Sequence, residues 1–406
     1  MKIAHLSDLH YCQEYLAEVD KCTTFAVDTA IAQDCRFAVL SGDSTDRRLD
    51  LHSPAVAALL AQVRRLADHC PVVILHGTAS HEPAGTLDVF RTIGGAYPVY
   101  VADTMAQVAF KDGAFQEWDG TGVPDILFSV LPSVDRGALM GAGMAETCLS
   151  IMQGWAALND QARALGVPTV GISHGTVTGC RTESGVPMMG LDHEFTSGAL
   201  FAAHCSAFML GHIHEHQEWD HEGRKIAYPG SIGRLHFGEL TDKGFLIWDV
   251  LADTASAEFV ITPAKRLIQV DCEGAPDMAA LAALAAQAET EGASVRIRWS
   301  IDEEHRHAVD KAAITALFAN AAQVKLEGHV NPIVRTRASG MNKAITLADK
   351  VRRWAEVTGT DPEPLVERLR TLEGVWPVAA SIFITYALPD DSHIDSVTII
   401  HPEDPF

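Results

Sequence analysis

The stretch KIAHLSDLH, residues 2–10, runs a short apolar segment into an aspartate and a histidine. The same figure returns along the chain. FAVLSGD (37–43) ends on Asp43, and VVILHGTASHE (72–82) leads to His81 and Glu82. VGISH (170–174) ends on His174, and FMLGHIH (208–214) ends on His212 and His214. Such compact apolar runs read as strands buried on both faces. Polar residues just beyond the ends of such strands are where α/β sheets gather ligands.

Working outward, helical patterns separate the runs. Ser53 is a good N-cap and Pro54 suits a first helical position. Val56, Leu59, Leu60, Val63 and Leu66 then recur at helical spacing. Further strands are expected at 126–131, 225–228, 245–250 and 259–262. Strands alternating with helices predict an α/β sandwich over residues 1–262. Pro263 marks a boundary, and residues 263–330 read as a small second domain. It has a strand at 267–270, a helix capped by Asp277 and running to about Glu289, a half-buried strand at 295–299, and a further helix. Residues 331–406 form a third region. Ala344, Leu347, Ala348, Val351, Trp354 and Ala355 make one amphipathic stripe, Gly359 stops that helix, and Asp361-Pro362 starts the next. The tail reads as two strands, 381–386 and 396–400.

Of the 406 residues, 47% are hydrophobic and 21% charged, which excludes a largely disordered chain, a collagen and a coiled-coil rod. No apolar run approaches the ~18–20 residues of a membrane span. Asp8 stands where a signal peptide needs its apolar core, so a cytoplasmic protein without membrane association is expected. The net charge of −22 argues against simple electrostatic capture of nucleic acid or anionic membrane. Basic residues are concentrated, however. Lys311, Lys325, Arg335, Arg337, Lys343, Lys350, Arg352 and Arg353 stand against only Glu327 and Asp349. None of the cysteines forms a CxxC pair, so they read as small buried hydrophobes rather than a thiolate zinc site.

The chemistry at the strand ends is that of hard divalent cations, which favour carboxylate oxygen and imidazole nitrogen over thiolate. Asp8 with His10, and His212 with His214, each project two donors from one loop. Two ions ~3.5–4 Å apart need a bridging carboxylate, and together they clamp the attacking and leaving oxygens of a phosphoester. The remaining histidines match no such pattern, and His76 is intermediate because it abuts the third motif.

In this order, D-x-H, G-D, H-E, H and G-H-x-H resemble the motif set of the calcineurin-like metallophosphoesterase superfamily, over residues 8–214. Within it the chain is most similar to the SbcD family of DNA-repair exonucleases. Tyr228-Pro229-Gly230-Ser231 and Phe237-Gly238-Glu239 resemble the segment that follows G-H-x-H there. The resemblance implies a metallophosphoesterase β-sandwich flanked by helices, a small α+β capping domain, and a C-terminal helical pair that docks on an SbcC-like SMC-type ATPase. It implies two divalent ions, manganese with magnesium as the alternative. Asp8, His10 and His214 would bind one, His174 and His212 the other, and Asp43 would bridge. His81 would act beside the leaving group. The implied activity is metal-dependent hydrolysis of DNA phosphodiesters, with homodimerisation through residues 54–69 and 83–93. Val56, Leu59, Leu60 and Val63 could equally face the domain's own sheet.

The chain departs from the family at the third motif, where G-N-H gives way to Gly77-Thr78-Ala79-Ser80-His81. Ser80 takes the place of the asparagine ligand, so its hydroxyl or a backbone carbonyl would have to reach the second ion. Two other readings remain. Gly42 to Arg47 is similar to the G-D-x-x-D-R of protein phosphatases, which allows a phosphatase or cyclic-nucleotide phosphodiesterase. A chain with a decayed third motif would be a non-catalytic assembly subunit.

Overall fold

Every ligand-bearing run is a strand, or leads out of one, in the computed structural model, whose described residues are 1–50, 52–133, 143–182, 194–332 and 341–373. Six strands form the first sheet in the order Ala255–Ile261, Gly244–Val250, Lys2–Leu6, Phe37–Leu40, Val72–Leu75, Val99–Ala102. Seven form the second: Gln217–His221, Arg224–Tyr228, Ala207–Gly211, Thr169–His174, Ile126–Leu131, Ala106–Lys111, Ala114–Glu117. Both are parallel at the centre; the second turns antiparallel at both edges, the first only on the side of Gly244–Val250 and Ala255–Ile261.

Alternation along each strand explains the continuous apolar runs. Ile3, Val39, Val73 and Leu75 of the first sheet pack against Phe128, Val130, Ile172 and Met209 of the second. Their neighbours Ala4, Leu6, Leu40 and Ile74 face the helices Leu16–Ala32 and Pro54–His69. Leu131, Phe208 and Leu210 face Met152 and Trp155 of the helix Met144–Ala164. The result is the expected α/β class, two packed sheets with helices outside. Ser53 caps the second helix through Ala55 N and Pro54 begins it. Leu59, Val63 and Leu66 are spent on the domain's own core, while Val56 and Leu60 are half-buried. Residues 83–93 hold no α-helix, only the 3-10 turn Asp88–Thr92.

The strands Leu267–Glu273, Ser294–Asp302 and Gln323–Asn331 make a separate parallel sheet. Helices Met278–Ala285 and Lys311–Leu317, capped by Asp277 and Asp310, connect them. Val295, Ile297, Trp299 and Ile301 bury one face beneath Leu281 and Ile314. The third strand was not anticipated, and the first helix ends at Ala285 rather than near Glu289. The chain divides into compact units Met1–Asn331 and Pro332–Phe406. In the second, helices Leu347–Thr358 and Glu363–Glu373 join through Gly359 at φ 69°. Thr346, as N-cap to Asp349 N, delays the start past Ala344. Ala355 and Val366 are buried, whereas Leu347 and Trp354 of the expected stripe are exposed. The strands expected at 381–386 and 396–400 lie outside the described residues, as do Arg335 and Arg337. All cysteines are free thiols, buried except for half-buried Cys272. No described helix is long and apolar enough to cross a membrane.

Candidate metal centre

The loops that leave the central strands are laced together by their backbones. Asp8 N donates to Gly42 O (3.2 Å), His10 N to Asp43 O (2.9 Å) and Gly175 N to Gly211 O (3.2 Å). Asp8, His10, Asp43 and His212 sit at φ 50°, 48°, 51° and 101°. Left-handed backbone at non-glycine residues costs energy and persists where surrounding structure enforces it, commonly at functional sites. Gly77 permits the closest approach, since a Cβ there would lie 2.2 Å from Asp43 N.

Two ligand-competent clusters result, Asp8–His10–His214 and Asp43–His174–His212. In the first, the Nε2 atoms of His10 and His214 are 3.0 Å apart, and Asp8 Oδ1 is 4.0 and 3.8 Å from them. In the second, His174 Nε2 is 3.2 Å from Asp43 Oδ2, and the His174 and His212 ring centroids are 5.3 Å apart. Asp8 ties the clusters together, because its carboxylate accepts His212 N–H at 3.1 Å and Ser7 Oγ–H at 2.6 Å.

Hydrogen bonds to the far ring nitrogens set the tautomers. His174 Nδ1 donates to Ser41 O at 2.8 Å and His214 Nδ1 to Glu239 Oε1 at 2.8 Å. Each therefore turns an Nε2 lone pair into its cluster. At His174 that lone pair meets a carboxylate oxygen, and the two repel unless a proton or a cation lies between them. Burial alone would push the His174 imidazole down; the Asp43 carboxylate outweighs it and drives it up to about 10. Burial likewise opposes ionisation of Asp43, yet His174, with His10 and His81 behind it, holds that carboxyl well below the usual carboxylate range. The oxygen and imidazole donors of both clusters fit a divalent cation.

Two buried carboxylates brace the centre. Glu239 accepts Leu235 N at 2.6 Å, lies 3.5 Å from Lys243 Nζ, and is held at about 2 by His214 and Lys243 against the opposing effect of burial. Glu82 receives Ser44 N and Gly77 N at 2.6 Å each, clamping the second and third loops. Burial, then the charge of Asp43, raises the Glu82 carboxyl. Both lie within motifs legible in the sequence, Glu82 after His81 and Glu239 after Phe237-Gly238, but nothing in the pattern marks them as braces.

His81 lies against the first cluster, its ring 4.8 Å from that of His10. Its Nδ1 donates to Asp46 O at 2.5 Å. Asp46 Oδ1 is 3.6 Å from His10 Nδ1, and Arg47 grips Asp46 Oδ2 through Nε and Nη2. His10, assisted by Arg47, holds the Asp46 carboxyl down at about 2 in spite of partial burial. Asp8, His10, Asp43, His174, His212 and His214 are thus brought together, with His81 beside them. Ser80 is not: it is exposed, and the hydroxyl beside Asp43 and His174 belongs to Thr78. The reason is the turn that follows, in which Thr78 O accepts both His81 N and Glu82 N and carries Ser80 outward.

No protein-family model matches the chain, and no curated protein does. Solved structures do. GAP50, the anchor in the inner membrane complex of Plasmodium, aligns at 14% identity and TM-score 0.40, over 65% of this chain and 85% of that one. A dimetal phosphatase from Danio rerio aligns at 10% identity and TM-score 0.38, over 64% and 98%. A predicted phosphoesterase from Streptococcus pneumoniae aligns at 10% identity and TM-score 0.26, over 64% and 97%. With every TM-score below 0.5, these likenesses do not fix what this chain acts on.

Proposed function

We propose that the chain is a metal-dependent phosphoesterase of the calcineurin-like metallophosphoesterase type. It holds one divalent cation at Asp8, His10 and His214 and another at Asp43, His174 and His212. The observation that carries this reading is the convergence of Asp8, His10 and His214, and of Asp43, His174 and His212, into two clusters of ligand atoms each close enough to share one ion. Such cations supply a nucleophile from water at neutral pH and neutralise the phosphate oxygens. The chain's own residues do the rest. Asp43 lies within electrostatic reach of His10 and His81 as well as His174, which suits a bridging charge. Glu239 and Ser41 O keep the His214 and His174 rings in one tautomer. With Nδ1 fixed on Asp46 O, His81 has Nε2 left to hold or release a proton at the leaving oxygen.

The substrate in this proposal is DNA and the role that of an SbcD-like nuclease, with manganese the metal and magnesium the alternative. The motif order and the parallel sheet appended at 267–331 support it. Residues 1–262 would be the nuclease domain, 263–330 its cap and 331–406 the docking region for an SbcC-like SMC-type ATPase. Exposed Leu347, Trp354, Val357 and Leu372 suit such a partner's coiled coil. A second copy of the chain completes the assembly. A phosphatase or cyclic-nucleotide phosphodiesterase is the second reading, favoured by the Arg47 grip on Asp46 beside His10 and His81.

The test sets purified protein and manganese against linear duplex DNA, p-nitrophenyl phosphate and a cyclic nucleotide, beside Asp43→Asn. DNA cleavage that Asp43→Asn abolishes is the expected result. Hydrolysis confined to the small esters moves the chain to the second reading. Hydrolysis of none of them, with or without an ATPase partner, makes it an assembly subunit and overturns the proposal.

A further inference from the structure

We propose that the Thr78 hydroxyl is a fourth protein donor to the Asp43–His174–His212 cluster, and that this cluster is the weaker of the two cation sites because that donor is a neutral alcohol while Glu239 braces the other. The inference rests on the metal reading above and deepens it. Thr78 Oγ1 stands 3.3 Å from Asp43 Oδ2 and 3.3 Å from His174 Nε2, the two donor atoms that face each other across the cluster. A polar atom equidistant from two prospective ligands occupies a ligand's position relative to both.

Backbone geometry holds it there. Thr78 N donates to Asp43 Oδ1 at 2.7 Å, and the preceding Gly77 N donates to buried Glu82 at 2.6 Å. Thr78 O accepts His81 N and Glu82 N at 2.9 and 2.8 Å, which closes the turn. With the backbone pinned at both ends, only χ1 of a stiff β-branched side chain remains to place the hydroxyl. Ser80, beyond the turn, is exposed.

The donor chemistry sets the consequence. An alcohol keeps its proton and brings no charge, and hard cations prefer stronger oxygen donors such as carboxylate or carbonyl. The Asp8–His10–His214 cluster has instead a buried carboxylate, Glu239, raising the basicity of one ligand from behind. Two unequal binding steps follow.

The experiment is calorimetric titration of the chelator-treated full chain with manganese chloride. Wild type should take up two ions in separable steps. Thr78→Val keeps the β-branched shape and removes the hydroxyl, and should weaken the second step at least about tenfold, on the scale of lost metal-site partners. Thr78→Ser should restore it, Thr78→Asn should tighten it by offering an amide oxygen, and Ser80→Ala should change neither step. His214→Ala should remove the tighter step and leave the weaker one. Thermal melts of each variant without metal separate folding defects from binding defects, and Thr78→Ser keeps the comparison informative should Thr78→Val fold poorly. Thr78→Val binding both ions as wild type does overturns the inference and leaves the metal reading standing. A wild type that binds no ion overturns the metal reading itself.

Discussion

His5 and Glu239 show how much of the centre depends on side chains that touch no substrate. His5 is fully buried between Ser41 Oγ at 2.8 Å and the indole of Trp248, whose Nε1–H donates to His5 Nδ1 at 3.3 Å. With Nδ1 accepting, protonating it would set two donors face to face. Burial, with the nearby His216, lowers its pKa to about 3. The folded state therefore refuses a proton that the unfolded chain takes up at about 6.5. Stability from this residue is whole above pH 6.5 and is lost as pH falls towards 3, at about 1.4 kcal/mol per unit. Urea midpoints at pH 7.5 and pH 5 should fall more steeply for wild type than for His5→Gln; equal slopes contradict the assignment. Glu239→Gln keeps an acceptor for His214 Nδ1 and loses the charge. Manganese affinity at the Asp8–His10–His214 cluster should drop about 10–100-fold, as for other carboxylate–histidine braces, and calorimetry reads it directly. The ligand-type residues themselves were legible, since Asp and His recur at one strand end after another, which core packing alone does not produce. Glu82, Glu239 and Thr78 were not, because their roles come from loops far apart in sequence meeting in space.

The strands that carry the site were legible for a simple reason. Runs such as FAVL and VVIL are apolar throughout because both their faces are buried. The strand Gln323–Asn331 escaped because one face is interrupted. Val324, Leu326 and Val330 alternate correctly, but Gly328 leaves a gap that the Trp299 indole fills; a Cβ at Gly328 would lie 2.5 Å from that ring. The same close packing operates at the site. Gly211 ends its strand where a Cβ would meet Ser41 O at 2.3 Å, Ser7 Oγ at 2.4 Å and His174 Nδ1 at 2.7 Å. Gly211→Ala should destabilise the fold by roughly 1–3 kcal/mol, the usual cost of overpacking, and displace His174 from Asp43. Chemical denaturation and manganese titration of the variant check both effects, and unchanged values in both contradict the packing described.

At the scale of the molecule, two packed sheets bring loops from residues 8, 43, 78, 174 and 212 to one edge of a chain whose net charge is −22. On the proposed reading, bound cations supply positive charge at that edge, where two carboxylates and four imidazoles converge. Within the basic segment 311–353, Lys325 and Arg352 are paired with Glu327 and Asp349. Sequence predicted the sandwich and the convergence of its loops; it could not predict these pairings, which depend on register and helix phase. Everything at this edge turns on the cations. Anomalous diffraction at the manganese edge, from crystals grown with manganese, tests for them most directly. Two peaks are predicted, one among Asp8, His10 and His214 and one among Asp43, His174 and His212. Peaks elsewhere, or none, with those side chains ordered, would contradict the two-cation centre.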